Sequence, residues 1–136
     1  MRGGNIMALS LLAVDDDPSS AELVVRVSER CGYEAFATSD SRGVVELIRQ
    51  LEPNVLAVDI CMPNVDALDL FKMLAEDKYQ GSIIIVSGQD QSTLYSAARF
   101  AEELGLKRPK TMQKPLNFQE LRGWLHALGQ EGSEAA

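Results

Sequence analysis

The chain has 136 residues, of which 46% are hydrophobic and 24% charged, so it suits one globular domain and is neither disordered nor fibrous. Its formal net charge of −7 argues against a general binder of nucleic acid or membrane surfaces. Its two cysteines, Cys31 and Cys61, have neither zinc-site spacing nor a disulfide pattern, and no apolar run is long enough to cross a bilayer. These features predict a cytoplasmic protein.

Short apolar runs alternate with amphipathic stretches along the whole chain. The runs predict strands over residues 9–14, 33–37, 55–58, 83–86 and 111–113. A helix is expected after each strand. Pro18 opens the first helix, and Gly32 follows its end. The second helix has three candidate caps, Ser39, Asp40 and Ser41.

The later helices are predicted from their apolar stripes. The third follows a loop at residues 62–64 and is expected to bury Leu68, Phe71, Leu74 and Ala75. The fourth ends at Gly105. Asn117 and Glu120 form a capping box for the fifth, whose expected buried stripe is Phe118, Leu121, Leu125 and Leu128.

Polar residues follow four of the predicted strands. Asp15 and Asp16 come after the first strand and Asp59 after the third, while Ser87 and Lys114 follow the fourth and fifth. Alternating strands and helices predict a parallel sheet with helices on both faces, and such sheets bind ligands beyond the carboxyl ends of their strands. We therefore expect these five residues to share one edge of the sheet.

The adjacent carboxylates of Asp15, Asp16 and Asp17 predict a bound cation. Two like charges about 4 Å apart repel by roughly 4 kcal/mol at an effective dielectric near 20. Mg²⁺ is typically held by one or two carboxylates together with a substrate phosphate. Taken alone, an aspartate run before Pro18 is more often a helix start, and Asp17 is expected to be only a cap. The occurrence of polar residues after four of the predicted strands favours the metal site.

Four stretches resemble the receiver domain of bacterial two-component response regulators. They are LAVDDDP (12–18), VLAVDICMPNVDA (55–67), IIVSG (84–88) and QKP (113–115). The resemblance covers residues 8–128 and leaves 1–7 as an N-terminal extension and 129–136 as a flexible tail or linker. It implies an α/β, flavodoxin-like (βα)5 fold: a doubly wound, five-stranded parallel sheet in the order 2-1-3-4-5.

The resemblance also assigns roles to individual residues. It implies that Asp59 is the phosphoacceptor and that Lys114 and Ser87 bind phosphoryl oxygens. It implies that Mg²⁺ is bound by Asp15, Asp16, Asp59 and the backbone carbonyl of Cys61. Pro115 would shape the adjoining loop through a cis bond, which is nearly confined to X–Pro.

The implied function is signalling by phosphorylation, not enzymatic turnover. A histidine kinase or phosphotransfer protein would donate the phosphoryl group, and the surface of helix 4, strand 5 and helix 5 would change. An output domain or effector protein would read that surface, and the resemblance leaves open a homodimer through it. Direct contact with nucleic acid or membrane is not expected.

Two features depart from the family pattern. Thr111 stands where receivers commonly have an aromatic residue, which puts the usual switch in doubt. The stretch between Ser87 and Lys114 is long, as in receivers attached to cyclic-diguanylate phosphodiesterase outputs. It includes a basic loop of Lys107, Arg108 and Lys110, expected to be solvated. Trp124 is either at the core edge or on a partner surface.

Two other functions remain open at this point. A small Mg²⁺-dependent phosphatase would use Asp59 as its nucleophile, but the chain has no cap domain and no second general acid near Asp59. A docking module with a vestigial acidic site would explain Thr111 but not the retention of all five polar residues. A dinucleotide-binding fold is disfavoured because the first strand leads to aspartates and not to a glycine-rich loop.

Overall fold

The computed structural model describes residues 9–40, 42–61 and 66–135 of the chain. Strands and helices alternate throughout. The strands are β1 (Leu9–Val14), β2 (Tyr33–Thr38), β3 (Val55–Val58), β4 (Ser82–Ser87) and β5 (Lys110–Gln113). The helices are α1 (Pro18–Arg30), α2 (Val44–Leu51), α3 (Ala67–Glu76), α4 (Gln91–Glu103) and α5 (Phe118–Ala135).

The five strands form one parallel sheet in the order β2-β1-β3-β4-β5, which confirms the predicted fold. The central strands are covered on both faces, since every residue of β3 is buried. Val14 of β1 is in register with Val58 of β3, so both strands end at the same level. Ser87 of β4 is likewise in register with Gln113 of β5.

Alternating strand residues divide the core into two layers. One layer packs α2, α3 and α4 against side chains such as Leu12, Leu56 and Ile85. The other layer packs α1 and α5 against the strand residues next to these in the sequence, such as Leu11 and Ile84, whose side chains lie on the opposite face of the sheet. This division follows from the period of two in a strand, because neighbouring side chains point to opposite faces of the sheet.

Helix α2 begins differently from the prediction. Its N-cap is Gly43, with φ of 77°, and no side chain caps it. A left-handed φ costs glycine little because glycine has no Cβ. Of the three predicted caps, Asp40 instead accepts a hydrogen bond from the Arg42 N–H, Ser39 precedes it, and Ser41 lies outside the described residues.

Two predicted core residues are exposed. Leu68 is 42% exposed, and the buried stripe of α3 is Ala67, Leu70, Phe71 and Leu74. Both sets have helical spacing, so the sequence pattern could not distinguish the two rotations of the helix. Phe118 is 43% exposed because it lies in the first turn of α5, whereas Leu121 and Leu125 farther along are fully buried.

The end of α5 also differs from the prediction. The helix continues to Ala135, through most of the segment 129–136 that the sequence predicts to be a flexible tail or linker. The predicted N-terminal extension at 1–7 and the predicted loop at 62–64 lie outside the described residues. Among the helices that the structure describes, none combines the length and apolar character needed to span a bilayer.

Candidate functional site: an acidic pocket at the carboxyl edge of the sheet

The predicted polar residues lie at the carboxyl ends of adjacent strands. Asp15 directly follows β1, and its N–H donates to the carbonyl of Thr38 at 3.1 Å. Asp59 directly follows β3, and its N–H donates to the carbonyl of Val14 at 2.9 Å. These bonds extend the sheet ladder by one residue, so the two carboxylates are fixed side by side.

Three carboxylates form the centre of the pocket. One oxygen atom from each of Asp15, Asp16 and Asp59 lies within 4.8 Å of the others. Asp15 and Asp59 are buried, each with 5% exposure, while Asp16 is exposed. The side chain of Asp15 accepts from the Asp17 N–H at 2.9 Å, and that of Asp59 accepts from the Cys61 N–H at 2.8 Å. These bonds fix the orientation of both buried carboxylates.

Lys114 brings the positive charge of the pocket. Its Nζ lies 3.1 Å from an oxygen of Asp15 and 3.1 Å from an oxygen of Asp59. The backbone N–H of Lys114 donates to the Ser87 carbonyl at 2.7 Å, which sets where the side chain begins. The Lys114–Pro115 peptide bond is cis, as the sequence analysis predicted.

The pKa shifts reflect burial and the close charges. Burial raises the pKa of Asp15, although hydrogen bonds from the Asp17 N–H and from Lys114 oppose it. Burial alone would lower the pKa of Lys114, but Asp15 and Asp59 together outweigh this and hold it above the usual value. Lys114 therefore stays protonated at neutral pH and remains the counter-ion of the two buried carboxylates.

Ser87 lies at the same edge as the carboxylates. It is fully buried, and its Oγ accepts a hydrogen bond from the Gln89 N–H at 3.3 Å. Gln89 is a pocket neighbour that the sequence pattern does not indicate, and its side-chain amide donates to the Cys61 Sγ at 3.1 Å. The only feature of the sequence that could have indicated Gln89 is its position two residues after Ser87. A glutamine in a loop belongs to no motif with a recognisable spacing.

The charge balance of the pocket fits a divalent cation. Three carboxylates against one ammonium leave an excess of two negative charges. Carboxylate and carbonyl oxygens are the ligands that Mg²⁺ prefers, and Mg²⁺ usually keeps several waters besides one or two carboxylates. Asp16, which is exposed, and the buried Asp15 and Asp59 can provide such oxygens together.

Comparison with known proteins identifies the family. The family model for the response regulator receiver domain matches residues 11–126. The chain belongs to the response regulator receiver family. Receiver domains of two-component systems are generally signalling modules that bind Mg²⁺ at an acidic pocket. In this chain the carboxylates of Asp15, Asp16 and Asp59 form an acidic cluster.

Curated relatives of this receiver are regulatory proteins. The alkaline phosphatase synthesis transcriptional regulatory protein PhoP of Bacillus subtilis is 25% identical over 96% of this chain and 52% of its own length. The DNA-binding response regulator MtrA of Mycolicibacterium smegmatis is 26% identical over 62% of this chain and 37% of its own. The receiver thus spans about half of these proteins or less.

Solved structures show the same fold. A response regulator from Colwellia psychrerythraea is 28% identical, with a TM-score of 0.77 over 90% of this chain and 98% of its own. The chemotaxis protein CheY4 of Vibrio cholerae is 20% identical, with a TM-score of 0.73 over 89% of this chain and 98% of its own. At that lower identity the likeness is one of fold alone.

Proposed function

We propose that this receiver accepts a phosphoryl group on Asp59 from the phosphohistidine of a histidine kinase or a phosphotransfer protein, in the bacterial cytoplasm. One observation supports this most: the Asp59 carboxylate lies beside the carboxylates of Asp15 and Asp16 and beside the Lys114 ammonium. A nucleophile next to a cation site and a fixed ammonium is what phosphoryl transfer to a carboxylate needs.

The transfer conserves atoms and charge. A carboxylate oxygen of Asp59 attacks phosphorus, the phosphorus–nitrogen bond to the donor imidazole breaks, and an acyl phosphate forms on Asp59. The Asp59 oxygen that contacts Lys114 differs from the one that accepts the Cys61 N–H. The Cys61 bond can therefore hold the carboxyl group in place while the other oxygen reacts.

Lys114 and Ser87 would bind the arriving group. The Lys114 ammonium, 3.1 Å from Asp59 before transfer, would pair with a phosphoryl oxygen, since a compact ammonium is a point charge suited to phosphate. The buried Ser87 hydroxyl would donate to another oxygen. Asp15, Asp16, Asp59 and the Cys61 carbonyl would hold Mg²⁺, which neutralises the charge that develops during transfer.

The consequence of phosphorylation would be a change at the surface of α4, β5 and α5. Lys114 directly follows β5 and Ser87 ends β4, so both pocket residues are continuous with that surface. An acyl phosphate carries roughly −1.5 to −2 charge, by analogy with phosphoserine, where the free carboxylate of Asp59 carries one negative charge, and this larger charge lies close to both residues. We propose that an output domain, an effector protein or a second copy reads the change.

The decisive experiment is incubation with acetyl phosphate and Mg²⁺, followed by intact-mass measurement. We expect a gain of one phosphoryl group that EDTA prevents and that Asp59→Asn abolishes. Asp66→Asn is the matched control, because Asp66 caps α3 through the Leu68 N–H outside the pocket. An adduct that persists in Asp59→Asn would place the phosphoacceptor elsewhere.

The same samples separate the two rival functions. A phosphatase would hydrolyse an aryl phosphate with steady turnover that Asp59→Asn removes, whereas a receiver would be labelled once and lose its label slowly. A vestigial docking module would give no adduct at any Mg²⁺ concentration.

A further inference from the structure

A small-molecule-sized groove crosses the outer edge of β5, between α4 and α5. Its volume is about 590 Å³, within the range of pockets that hold small ligands. Two aromatic side chains line it, Tyr95 of α4, which is 53% exposed, and Trp124 of α5. Its floor includes Thr111, which stands where receivers commonly have an aromatic residue. The smaller side chain leaves more of the groove open to a ligand.

The groove is cationic near the beginning of β5. Arg108 and Lys110 line this part of it. The Lys110 ammonium lies 5.6 Å from the centre of the Trp124 ring, and no described carboxylate is within ion-pair distance of it. Arg108 pairs with Glu102 of α4 at 2.9 Å, so its charge is already compensated. The Lys110 ammonium is therefore available to an anion, and it would hold that anion beside an aromatic surface.

Side-chain amides lie at the other end of the groove. Gln113 ends β5 and Gln91 begins α4, and both line the groove together with Asn117. The amides of Gln91 and Gln113 form no hydrogen bond within the part of the chain that the structure describes. A primary amide offers a donor and an acceptor in one plane, which matches the N6 amino group and the N7 atom of adenine. Glu120, which also lines the groove, is a further acceptor for an amino group.

We propose that this groove binds an adenine nucleotide. The base would stack on Tyr95 and Trp124, as bases do on exposed aromatic side chains. Its N6 and N7 edge would bond to the amides of Gln91 and Gln113, and its phosphate would pair with Lys110. The four residues of β5 span roughly 10 Å, so one nucleoside monophosphate can reach from the ammonium to the amides.

Charge and hydrogen bonding favour this occupant over others. A nucleic acid strand would bring many phosphates to a chain with a net charge of −7, whereas one phosphate needs only the local charge of Lys110. Guanine presents two acceptors, N7 and O6, which suit cations better than amides. The inference goes beyond the proposed function, because this binding needs neither Mg²⁺ nor a phosphoryl group on Asp59.

The test is NMR titration of the full chain with AMP in the presence of EDTA, which prevents the phosphate from binding through Mg²⁺ at the acidic pocket. The chain has one tryptophan, so the indole N–H signal of Trp124 reports on the groove. We expect this signal to shift with saturable binding of AMP. GMP, which mismatches the amides, and ribose 5-phosphate, which has no base, should each bind about tenfold more weakly.

Variants of the receiver separate the contacts. Tyr95→Leu should weaken AMP binding about tenfold, whereas Tyr95→Phe keeps the ring and should bind as the unaltered chain does. Lys110→Gln should also weaken binding about tenfold, whereas Lys72→Gln, the same change on α3, should leave it unchanged. Asp59→Asn should bind AMP normally, so a failure of phosphorylation would leave this result intact.

The amides are tested by the base that they select. The double variant Gln91→Met with Gln113→Met keeps two long side chains but removes both amides. It should bind AMP and GMP equally, and ribose 5-phosphate as the unaltered chain does.

Three outcomes would overturn the inference. The first is equal binding of AMP and ribose 5-phosphate, which would indicate a phosphate site without a base. The second is a Trp124 signal that does not move at millimolar AMP. The third is displacement of AMP by a short single-stranded oligonucleotide at a concentration below that of AMP, which would assign the groove to a polyanion.

Discussion

At the scale of single residues, three consecutive aspartates have three different environments. Asp15 is buried and shares the Lys114 ammonium with Asp59. Asp16 is exposed but takes part in the carboxylate cluster. Asp17 points the other way and caps α1, accepting from the Ser19 N–H and the Ser20 hydroxyl. Adjacent residues of one type thus separate into a pocket and a helix cap.

This separation predicts which aspartate matters for Mg²⁺. Bound Mg²⁺ should stabilise the unaltered receiver by about 2.7 kcal/mol at a concentration about 100 times its Kd. Asp16→Asn removes one charge beside the ion and should weaken binding about tenfold or more. Asp17→Asn keeps a capping oxygen and should keep the full Mg²⁺-dependent rise in Tm. Thermal melts with and without MgCl₂ measure the rise in Tm for each variant. An equal reduction of this rise in Asp16→Asn and Asp17→Asn would contradict the prediction.

The sequence predicted most of this pocket because each of its residues lies at the end of a strand or within two residues after it. The position of Asp59 was readable from the apolar run before it, and that of Lys114 from the proline after it. What could not be predicted was the contact between Gln89 and Cys61, because loop conformation decides it. Residues placed by regular ladders were predictable, whereas residues placed by loops were not.

At the scale of elements, the apolar pattern of α3 had two solutions. The apolar pattern predicts a buried stripe with Leu68, and the structure buries Leu70 at 5% exposure instead. Both leucines have apolar neighbours three or four residues away. The choice between them depends on how the helix lies against α4 and the sheet, which is tertiary information.

The two leucines make a matched pair for mutation. Leu70→Ala should lower the free energy of unfolding by about 2–5 kcal/mol, the usual range for a buried leucine. Leu68→Ala should change it by less than about 0.5 kcal/mol, as is typical of exposed positions. Urea denaturation followed by circular dichroism would measure both. If Leu68→Ala proved the more damaging change, the rotation of α3 described here would be wrong.

An ion pair joins α2 to the end of α3. The Arg49 guanidinium donates to both carboxylate oxygens of Asp77, at 2.7 and 3.2 Å. This hydrogen bonding lowers the pKa of Asp77 from its ordinary value of 3.8. A lowered pKa means that the pair stabilises the fold above pH 3.8 and that this contribution disappears as the pH falls through the folded-state pKa.

Replacing Arg49 should therefore change the pKa of Asp77. In Arg49→Met the pKa of Asp77, followed by NMR of its side-chain carboxyl, should rise towards 3.8. The stability difference from the unaltered chain should be present near neutral pH and vanish in acid. Arg26→Met is the control, because Arg26 pairs with Glu22 on its own helix and should not affect Asp77. An unchanged Asp77 titration would show that the pair does not persist in solution.

At the scale of the whole molecule, the sheet order brings distant parts of the chain together. β2 is an edge strand, and its Tyr33 hydroxyl donates to the Leu125 carbonyl of α5 at 2.6 Å. The alternation of strands and helices predicted the fold class, and the resemblance gave the strand order. Neither predicted this bond, because a tyrosine at the start of a strand does not indicate its partner ninety-two residues away.

Loss of this one hydroxyl should weaken the whole domain and not only β2. Tyr33→Phe keeps the ring, which is 5% exposed, and leaves the Leu125 carbonyl without this donor. We expect the free energy of unfolding to fall by about 1 kcal/mol, the net value of a typical hydrogen bond. Tyr95→Phe removes the same group from an exposed side chain and should cost less than about 0.5 kcal/mol.

Urea melts should show the Tyr33→Phe loss equally by circular dichroism and by Trp124 fluorescence, since one cooperative unit unfolds. A loss seen by only one probe would mean that β2 and α5 unfold separately.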